Sequence, residues 1–202
     1  MYIVRSFYPG RPGYRLLQET VRSHYLTHFD ANPLPRPDQF VCLTGQDGAA
    51  PGYACAGLTY GDSGQLFSER YLDKGLDELY GVERAQILEI GAFSAFQPGA
   101  GRFLLSKLLR TLALQNYQLV VMTATEKVRE LLRPLIVDFA DHGPAQLHRV
   151  QTAEVDWGSY YDHDPRVVVF SLGTEVVDQQ RNPWMAVARP VANTGLAFAA
   201  SA

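Results

Sequence analysis

The run between residues 86 and 124 constrains the fold more than any other part of the chain. Residues 86–93 (QILEIGAF) and 118–124 (QLVVMTA) are apolar with little polar alternation, which is typical of strands buried on both faces of a sheet. Between them, a loop containing Gly99 and Gly101 leads into a leucine-rich helix that we predict over residues 102–116. Strand, glycine loop, helix and strand together predict a βαβ unit with two parallel strands and a right-handed crossover.

The segments on either side of this unit predict a mixed sheet. Upstream, a helix that starts near Pro12 is followed by strands at 40–44 and 53–60, which a glycine-containing turn joins into an antiparallel hairpin. Downstream, the pattern predicts a helix over 126–132 and a strand over 166–172. We therefore expect an α/β fold with antiparallel N-terminal strands, one βαβ crossover and helices on both faces, which differs from the doubly wound nucleotide-binding fold.

The domain boundary is predicted near the end of the last strand. Residues 1–173 are expected to form one domain, and residues 174–202 a C-terminal extension rich in alanine and interrupted by prolines. We expect the extension either to be flexible or to fold only against a partner, such as a second copy in a homodimer. The N-terminus lacks the apolar core of a signal peptide, and no stretch approaches ~18 uninterrupted apolar residues. These features favour a cytoplasmic protein without a membrane span.

Composition argues against several classes of protein. With 18 Lys+Arg against 21 Asp+Glu, the chain has no basic excess to neutralise the phosphates of a nucleic acid. Its two cysteines, Cys42 and Cys55, form no C-x-x-C pair, so a structural zinc site or a disulfide scaffold is not expected. Asp162, His163 and Asp164 are consecutive, and consecutive residues of a strand cannot converge on one ion. No metal site is predicted.

The loop at Gly99, Ala100 and Gly101 is the first candidate binding site. Where a strand delivers the chain into a helix, free N–H groups and the helix dipole favour an anion such as phosphate or diphosphate. Arg102 would add positive charge at the same place. The alternative is an ordinary strand-to-helix turn that needs glycine for its backbone angles. The loop matches neither a P-loop nor the G-x-G-x-x-G pattern.

Glu89 is the strongest candidate for chemistry, because a carboxylate inside an apolar strand is costly unless it is paired, hydrogen-bonded or protonated. Burial would raise its pKa, which suits a general base for an amine nucleophile. The alternative is a carboxylate locked to Arg70, Arg102 or a backbone N–H. Thr123 and Thr125 follow the neighbouring parallel strand, where α/β sheets place ligands, although Thr125 is also suited to cap the next helix.

Aromatic residues cluster at Trp157, Tyr160 and Tyr161. Tyr160 would protonate a departing thiolate as a general acid, and Trp157 and Tyr161 would line a substrate pocket. The alternative is an aromatic strand edge that only packs on the sheet.

The leucine-rich helix predicted over residues 102–116 also carries Arg102, Lys107 and Arg110, a pattern seen in basic helices at membrane surfaces. Because it lies between two parallel strands, we expect its leucines to pack on the sheet instead.

The order of elements around residues 98–103 (PGAGRF) resembles the GNAT acyltransferase fold, whose Arg-Gly-x-Gly-x-Gly/Ala loop binds the phosphates of acyl-CoA. Pro98 and Phe103 stand where that pattern has an arginine and a small residue. These departures are similar to those of acyl-homoserine-lactone synthases, whose donor is usually an acyl carrier protein. Their Glu-x-Ser-Arg-Phe motif matches this chain at Glu89 and Phe93.

Several blocks are also similar to the thermostable hemolysin family, a GNAT-like group. The most specific block is 156–167 (DWGSYYDHDPRV), and the others are residues 25–31, 66–73, 89–91 and 123–125. Where that family usually has asparagine after Glu-Val-Gly, this chain has Ala92. The blocks span most of the chain before the extension.

The resemblance implies acyl transfer from a pantetheine thioester, on CoA or an acyl carrier protein, to the amine of a small, amino-acid-derived acceptor, without a permanently bound cofactor. Glu89 would accept the amine proton. The N–H groups of Gly91, Ala92 and Phe93 would hold the pantetheine arm, and residues 99–102 would meet its phosphate. Two alternatives stay open: a non-catalytic module of the same fold that binds acyl ligands, and a membrane-active hemolysin-type protein.

Overall fold

One sheet organises the chain, with seven strands in the spatial order β1-β2-β3-β4-β5-β7-β6. The computed structural model describes residues 2–115, 117–136, 138–152 and 155–172, so the predicted extension 174–202 lies outside the described residues. The strands are β1 (Ile3–Phe7), β2 (Gln39–Thr44), β3 (Ala54–Tyr60), β4 (Ile87–Ala95), β5 (Leu119–Ala124), β6 (Ala140–Pro144) and β7 (Arg166–Ser171). The α-helices are α1 (Pro12–Phe29), α2 (Leu76–Tyr80), α3 (Ala100–Ala113) and α4 (Glu126–Leu132).

Strand pairing confirms the predicted mixed sheet. The hairpin β2–β3 is antiparallel, and β4 and β5 run parallel on either side of α3. Two strands were not predicted: β1, which pairs with β2, and β6, which pairs with β7 at the far edge. The sequence of β6, ADHGP, contains glycine and proline and is largely exposed, so it has no hydrophobic alternation from which a strand is predicted.

Helices cover both faces of the sheet, as expected. Because side chains alternate along a strand, Phe40 and Cys42 of β2 pack beneath α1, whereas Val41 and Leu43 pack beneath α3. The buried leucines of α3 are Leu104, Leu105, Leu108, Leu109 and Leu112. α3, which resembles a membrane-surface helix in sequence, therefore packs its apolar face against the sheet. Among the helices described, none is both long and apolar enough to cross a bilayer.

The predicted bounds of α3 are displaced by two or three residues. The helix begins at Ala100 instead of 102, because Gly99 with φ of 78° makes the turn directly before it. It ends at Ala113, and Leu114 beyond it is 75% exposed.

The two parallel strands diverge, and this divergence positions the site. β4 pairs with β5 only through Ile87, Leu88 and Glu89, although β4 continues to Ala95. Against β3, the register shifts by one residue between Gly91 and Ser94, and Ala92 has a positive φ of 48°. These are the marks of a β-bulge, which bends a strand and increases its twist. Beyond Glu89, the backbone of β4 therefore has no strand partner on its β5 side among the residues that the structure describes.

Candidate active site

A cleft of about 380 Å³ lies beside the point where β4 and β5 separate. The end of α1, the segment 33–37, β4, β5 and the 3₁₀ turn after residue 159 all contribute to its walls. Six residues predicted for the site line this cleft: Glu89, Gly91, Ala92, Thr123, Trp157 and Tyr160. Tertiary folding thus brings together residues that are up to 71 positions apart in the chain.

Glu89 points into the face of the sheet opposite α3, because its neighbours Leu88 and Ile90 pack against α3. Only 4% of the residue is exposed. Its Oε2 accepts a hydrogen bond from the Phe67 N–H (2.8 Å), and its Oε1 accepts bonds from the N–H (2.8 Å) and hydroxyl (2.5 Å) of Ser68. Of the partners predicted for Glu89 (Arg70, Arg102 or a backbone N–H), the structure shows backbone N–H groups.

The charge state of Glu89 is set by opposing effects. Burial raises the pKa of its carboxyl group, whereas the hydrogen bonds from Ser68 and Phe67 lower it. On balance, the pKa of Glu89 is raised above its ordinary value. In the part of the chain described, Glu89 has no ion pair with Arg70 or Arg102. A buried carboxylate with a raised pKa and no counter-charge is suited to accept a proton.

Ser68 is a residue at the site to which sequence reasoning assigned no role. Its hydroxyl lies 2.5 Å from the Glu89 carboxylate and 2.8 Å from the hydroxyl of Thr123. It belongs to a 3₁₀ turn, Ser68–Tyr71, between β3 and α2. The block 66–73 carried a family resemblance, but no local pattern assigned a role to this serine.

Glu69 anchors the turn that holds Ser68. Its carboxylate accepts hydrogen bonds from the N–H groups of Leu66 and Leu76, both at 2.9 Å, and from the Arg84 guanidinium at 2.7 and 3.1 Å. Burial by itself would raise the pKa of Glu69, but the hydrogen bonds and the positive charge of Arg84 have the larger effect. The pKa of Glu69 therefore lies below its ordinary value. Glu69 and Arg84 therefore form a structural pair behind the candidate site.

We expect Glu69→Gln to lower the free energy of unfolding by about 2–4 kcal/mol at neutral pH, because a buried pair loses its charge. Since the folded pKa is depressed, the contribution of Glu69 is present above its unfolded pKa of about 4.3 and is lost as pH falls through the lower folded pKa. Urea unfolding at several pH values would show the difference from wild type shrinking in acid. Glu78→Gln removes an exposed i,i+4 pair with Lys74 and is the control, with an expected change under about 0.5 kcal/mol. An equal effect of both substitutions would contradict this role.

Tyr160 lies in a 3₁₀ turn, Tyr160–His163, so the strand assumed in the packing alternative was wrong. Its ring stacks on Tyr25 at 5.8 Å, and its hydroxyl donates to the backbone oxygen of Thr123 at 3.4 Å. Burial, followed by the nearby Tyr25, Tyr161 and Glu89, raises the pKa of Tyr160 well above its ordinary value. The phenol therefore stays protonated, with its one proton directed at the backbone oxygen of Thr123.

Trp157 and Tyr161 take different positions. Trp157 lines the cleft and packs on Phe67, with ring centroids 5.6 Å apart. The hydroxyl of Tyr161 lies 2.6 Å from that of Tyr71 and does not line the cleft.

The aromatic segment is fixed to the end of α1 by backbone contacts. The N–H of Ser159 donates to the oxygen of Phe29 at 2.7 Å, and the N–H of Asn32 donates to the oxygen of Asp156 at 2.7 Å. Gly158 has a positive φ of 45°, and a Cβ at this position would overlap the backbone oxygens of Phe29 and Asp30. A glycine is therefore required where the segment meets α1.

The glycine loop lies apart from the cleft. Gly99 precedes α3 with a left-handed backbone, and a Cβ on Gly101 would lie 2.8 Å from the ring of Phe93. Gly101 thus allows α3 to pack closely on Phe93, while Arg102 is exposed. Gly91 and Ala92 line the cleft and Phe93 meets the loop, so the bulged part of β4 separates the two predicted sites.

The other polar residues singled out from the sequence lie in places that indicate structural roles. Thr125 occupies the N-cap position of α4, but within the described part of the chain its side chain makes no capping hydrogen bond. The carboxylate of Asp164 pairs with Arg129 at 2.6 Å. Cys42 and Cys55 lie opposite each other in β2 and β3 as buried free thiols. Across the described ranges, no three His, Cys, Asp or Glu residues are grouped so as to hold a metal ion.

The fold is similar to those of solved acyltransferases. The AHL synthase LasI superposes with a TM-score of 0.55 at 14% identity, over 87% of this chain and 92% of that one. The CoA-dependent acyl-homoserine lactone synthase MesI superposes with 0.54 at 17% identity, over 95% and 100%. Arylalkylamine N-acetyltransferase 2 from Aedes aegypti superposes with 0.53 at 13% identity, over 84% and 99%. At such identities the likeness establishes the GNAT-like fold.

Sequence comparison establishes the family. No curated protein sequence matches the chain significantly. The sequence profile of thermostable hemolysins matches residues 7–176, which include every strand and helix described here except β1, of which the profile reaches only the last residue. The chain belongs to the thermostable hemolysin family.

Proposed function

We propose that the protein transfers an acyl group from a pantetheine thioester, carried by CoA or an acyl carrier protein, to the amine of a small acceptor. The observation that carries this proposal is the buried Glu89, with its raised pKa, beside an open cleft where two parallel strands diverge. A GNAT-like fold shared with acyltransferases supports the same reaction class.

The gap between the strands suits an extended thioester arm. Backbone groups of β4 beyond Glu89 have no β5 partner, so the segment Gly91, Ala92 and Phe93 offers hydrogen bonds to the amides of a pantetheine chain. At the far end of the gap, the N-terminus of α3 at Gly99 and Arg102 would meet its phosphate. The donor would thus lie along β4, with its thioester near Glu89.

The reaction would proceed by direct attack. The acceptor nitrogen bonds to the thioester carbonyl carbon, the C–S bond breaks, and the amine proton passes to Glu89. Tyr160, whose phenol is protonated, would supply a proton to the departing thiolate. The resulting phenolate would regain a proton from solvent, and Glu89 would release the amine proton to solvent, so that both groups return to their starting states. The products are an N-acyl amine and a free thiol, without a covalent enzyme intermediate.

The charges around the cleft support an acceptor that carries an acidic group. Arg36 and Arg70 both line the cleft, and Glu89 is the sole acidic residue among the lining side chains described. The Arg70 guanidinium lies 5.8 Å from the centroid of the Phe67 ring, which holds it against the wall by a cation–π contact. A molecule with an amine toward Glu89 and a carboxylate toward Arg70 would match these charges, as an amino-acid derivative does.

The proposal is tested by incubating the purified chain with acyl-CoA of several lengths, or acyl carrier protein, and matched acceptors. Each amino acid is paired with its carboxamide, so that only the acidic group differs. We expect thiol release coupled to an N-acyl product by mass spectrometry, at least about tenfold faster with the free carboxylate. Thermal stabilisation by a donor without acceptor-dependent thiol release would favour the non-catalytic binding module.

The membrane-active alternative has less support, because the leucines of α3 are buried. Dye-loaded vesicles are expected to stay intact in the presence of the protein. Leakage at low protein concentration would favour the hemolysin-type function over acyl transfer.

A further inference from the structure

We infer that the hydroxyls of Thr123 and Ser68 form a relay that carries the acceptor proton from the cleft to Glu89. The inference rests on the proposed function and adds a path for the proton. Three oxygen atoms define this path: Thr123 Oγ1 lies 2.8 Å from Ser68 Oγ, which lies 2.5 Å from Glu89 Oε1.

Elementary hydrogen-bonding rules fix the direction of the chain. An ionised carboxylate only accepts, so the Ser68 hydroxyl must donate its single proton to Glu89. Ser68 Oγ must then accept from Thr123, whose hydroxyl donates to it. Thr123 is left with free acceptor capacity, and it lines the cleft. An amine N–H bound there would donate to Thr123, and every bond would point toward Glu89.

The surroundings of Glu89 favour a relay over direct contact with the amine, because one acceptor site at most, on Oε2, remains open. A carboxylate has about four acceptor sites, and three of them receive donors from Phe67 and Ser68. Both Oε1 sites are taken by Ser68. Ser68 is fully buried and Glu89 nearly so, whereas Thr123 is only partly buried. The hydroxyl of Thr123 is therefore the more accessible entry to the network.

The step balances without an alkoxide. As the C–N bond forms, the amine proton moves to Thr123 Oγ1, the Thr123 proton moves to Ser68 Oγ, and the Ser68 proton moves to Glu89 Oε1. The transfers are concerted, since an isolated alkoxide would be too high in energy at neutral pH. Glu89 ends protonated, both hydroxyls are restored, and the thiolate leaves as the C–S bond breaks.

The test compares Thr123→Val, which keeps the shape but loses the hydroxyl, with Thr123→Ser, which keeps the hydroxyl. We expect Thr123→Val and Ser68→Ala each to lower kcat by about 10²-fold, and Thr123→Ser to remain within about threefold of wild type. The double variant Ser68→Ala/Thr123→Val should lose no more activity than either single variant, because each substitution interrupts the same proton path. Thr111→Val removes a hydroxyl that donates to the Lys107 oxygen within α3, away from the cleft, and is the control for the chemical change.

Solvent isotope effects separate a relay from a purely structural role. The rate is measured in mixtures of light and heavy water and plotted against the fraction of deuterium. For the wild-type protein this plot should be curved, as expected when several protons move together. For Thr123→Val, the plot of the residual rate should lose that curvature. Wild-type rate and curvature in Thr123→Val would overturn the relay while leaving the acyl transfer intact. Independent, multiplicative losses in the double variant would also overturn it. Absence of transfer by the wild-type chain would instead overturn the proposed function and the relay with it.

Discussion

Replacing Glu89 by glutamine is expected to lower the rate of acyl transfer by about 10²–10⁴-fold, the range that a positioned general base contributes. The amide is nearly isosteric and retains an oxygen for the donors from Ser68, but it cannot accept a proton. Steady-state rates of thiol release would measure the loss. Because burial raises the pKa of Glu89, the wild-type rate should also rise with pH at higher values than for an ordinary carboxylate, and this limb should vanish in the variant.

The control for this substitution is donor binding. Thermal stabilisation by acyl-CoA or acyl carrier protein should be retained, because Glu89 would meet the amine and not the pantetheine arm. A folded Glu89→Gln protein that transfers acyl groups at the wild-type rate would show that Glu89 only holds the 3₁₀ turn at residues 68–71 through Ser68.

Gly158→Ala is expected to have the largest effect on stability, lowering the free energy of unfolding by about 3–5 kcal/mol. Two costs combine: the positive φ of 45° disfavours any L side chain, and the new methyl group would overlap the backbone oxygens of Phe29 and Asp30. Relief of the overlap would move Trp157 and Tyr160 away from the cleft, so activity should fall as well. Chemical denaturation and acyl transfer would measure the two effects.

Gly81→Ala separates strain from overlap. Gly81 has a similar positive φ of 63°, but a Cβ there would meet no atom of the described residues within 4 Å. We expect a loss of only about 1 kcal/mol and unchanged activity. Equal destabilisation by the two substitutions would mean that the contact between Gly158 and α1 contributes nothing.

Much of the fold was predictable because its signals are local. The βαβ unit, the β2–β3 hairpin and α1 each carry a hydrophobic period or a turn signal within a short window. Edge strand β6 was not predictable, because its pairing with β7 depends on the neighbour rather than on its own polar, glycine-containing sequence.

The candidate site was only partly predictable for the same reason. Glu89 was identified because a charged residue inside an apolar strand is unusual at the level of sequence alone. Ser68 lies 21 residues away on a turn without a distinctive pattern, and its role depends on hydrogen bonds to Glu89 and Thr123. The distribution of site residues was also beyond the sequence, since the glycine loop and the cleft lie on different sides of the bulge in β4.

By itself, the run from residue 86 to 124 determined that this chain folds around a parallel strand pair. Local hydrophobic patterns are enough to indicate two buried strands and a helix that follows a glycine loop. Sequence also predicted that Glu89 would be buried within this unit, and the structure buries it. Only the tertiary structure decided where the parallel strands part and which hydroxyls reach the carboxylate. Those features depend on a one-residue bulge and on contacts between distant segments, and the free energy of such contacts exists only once the chain has folded.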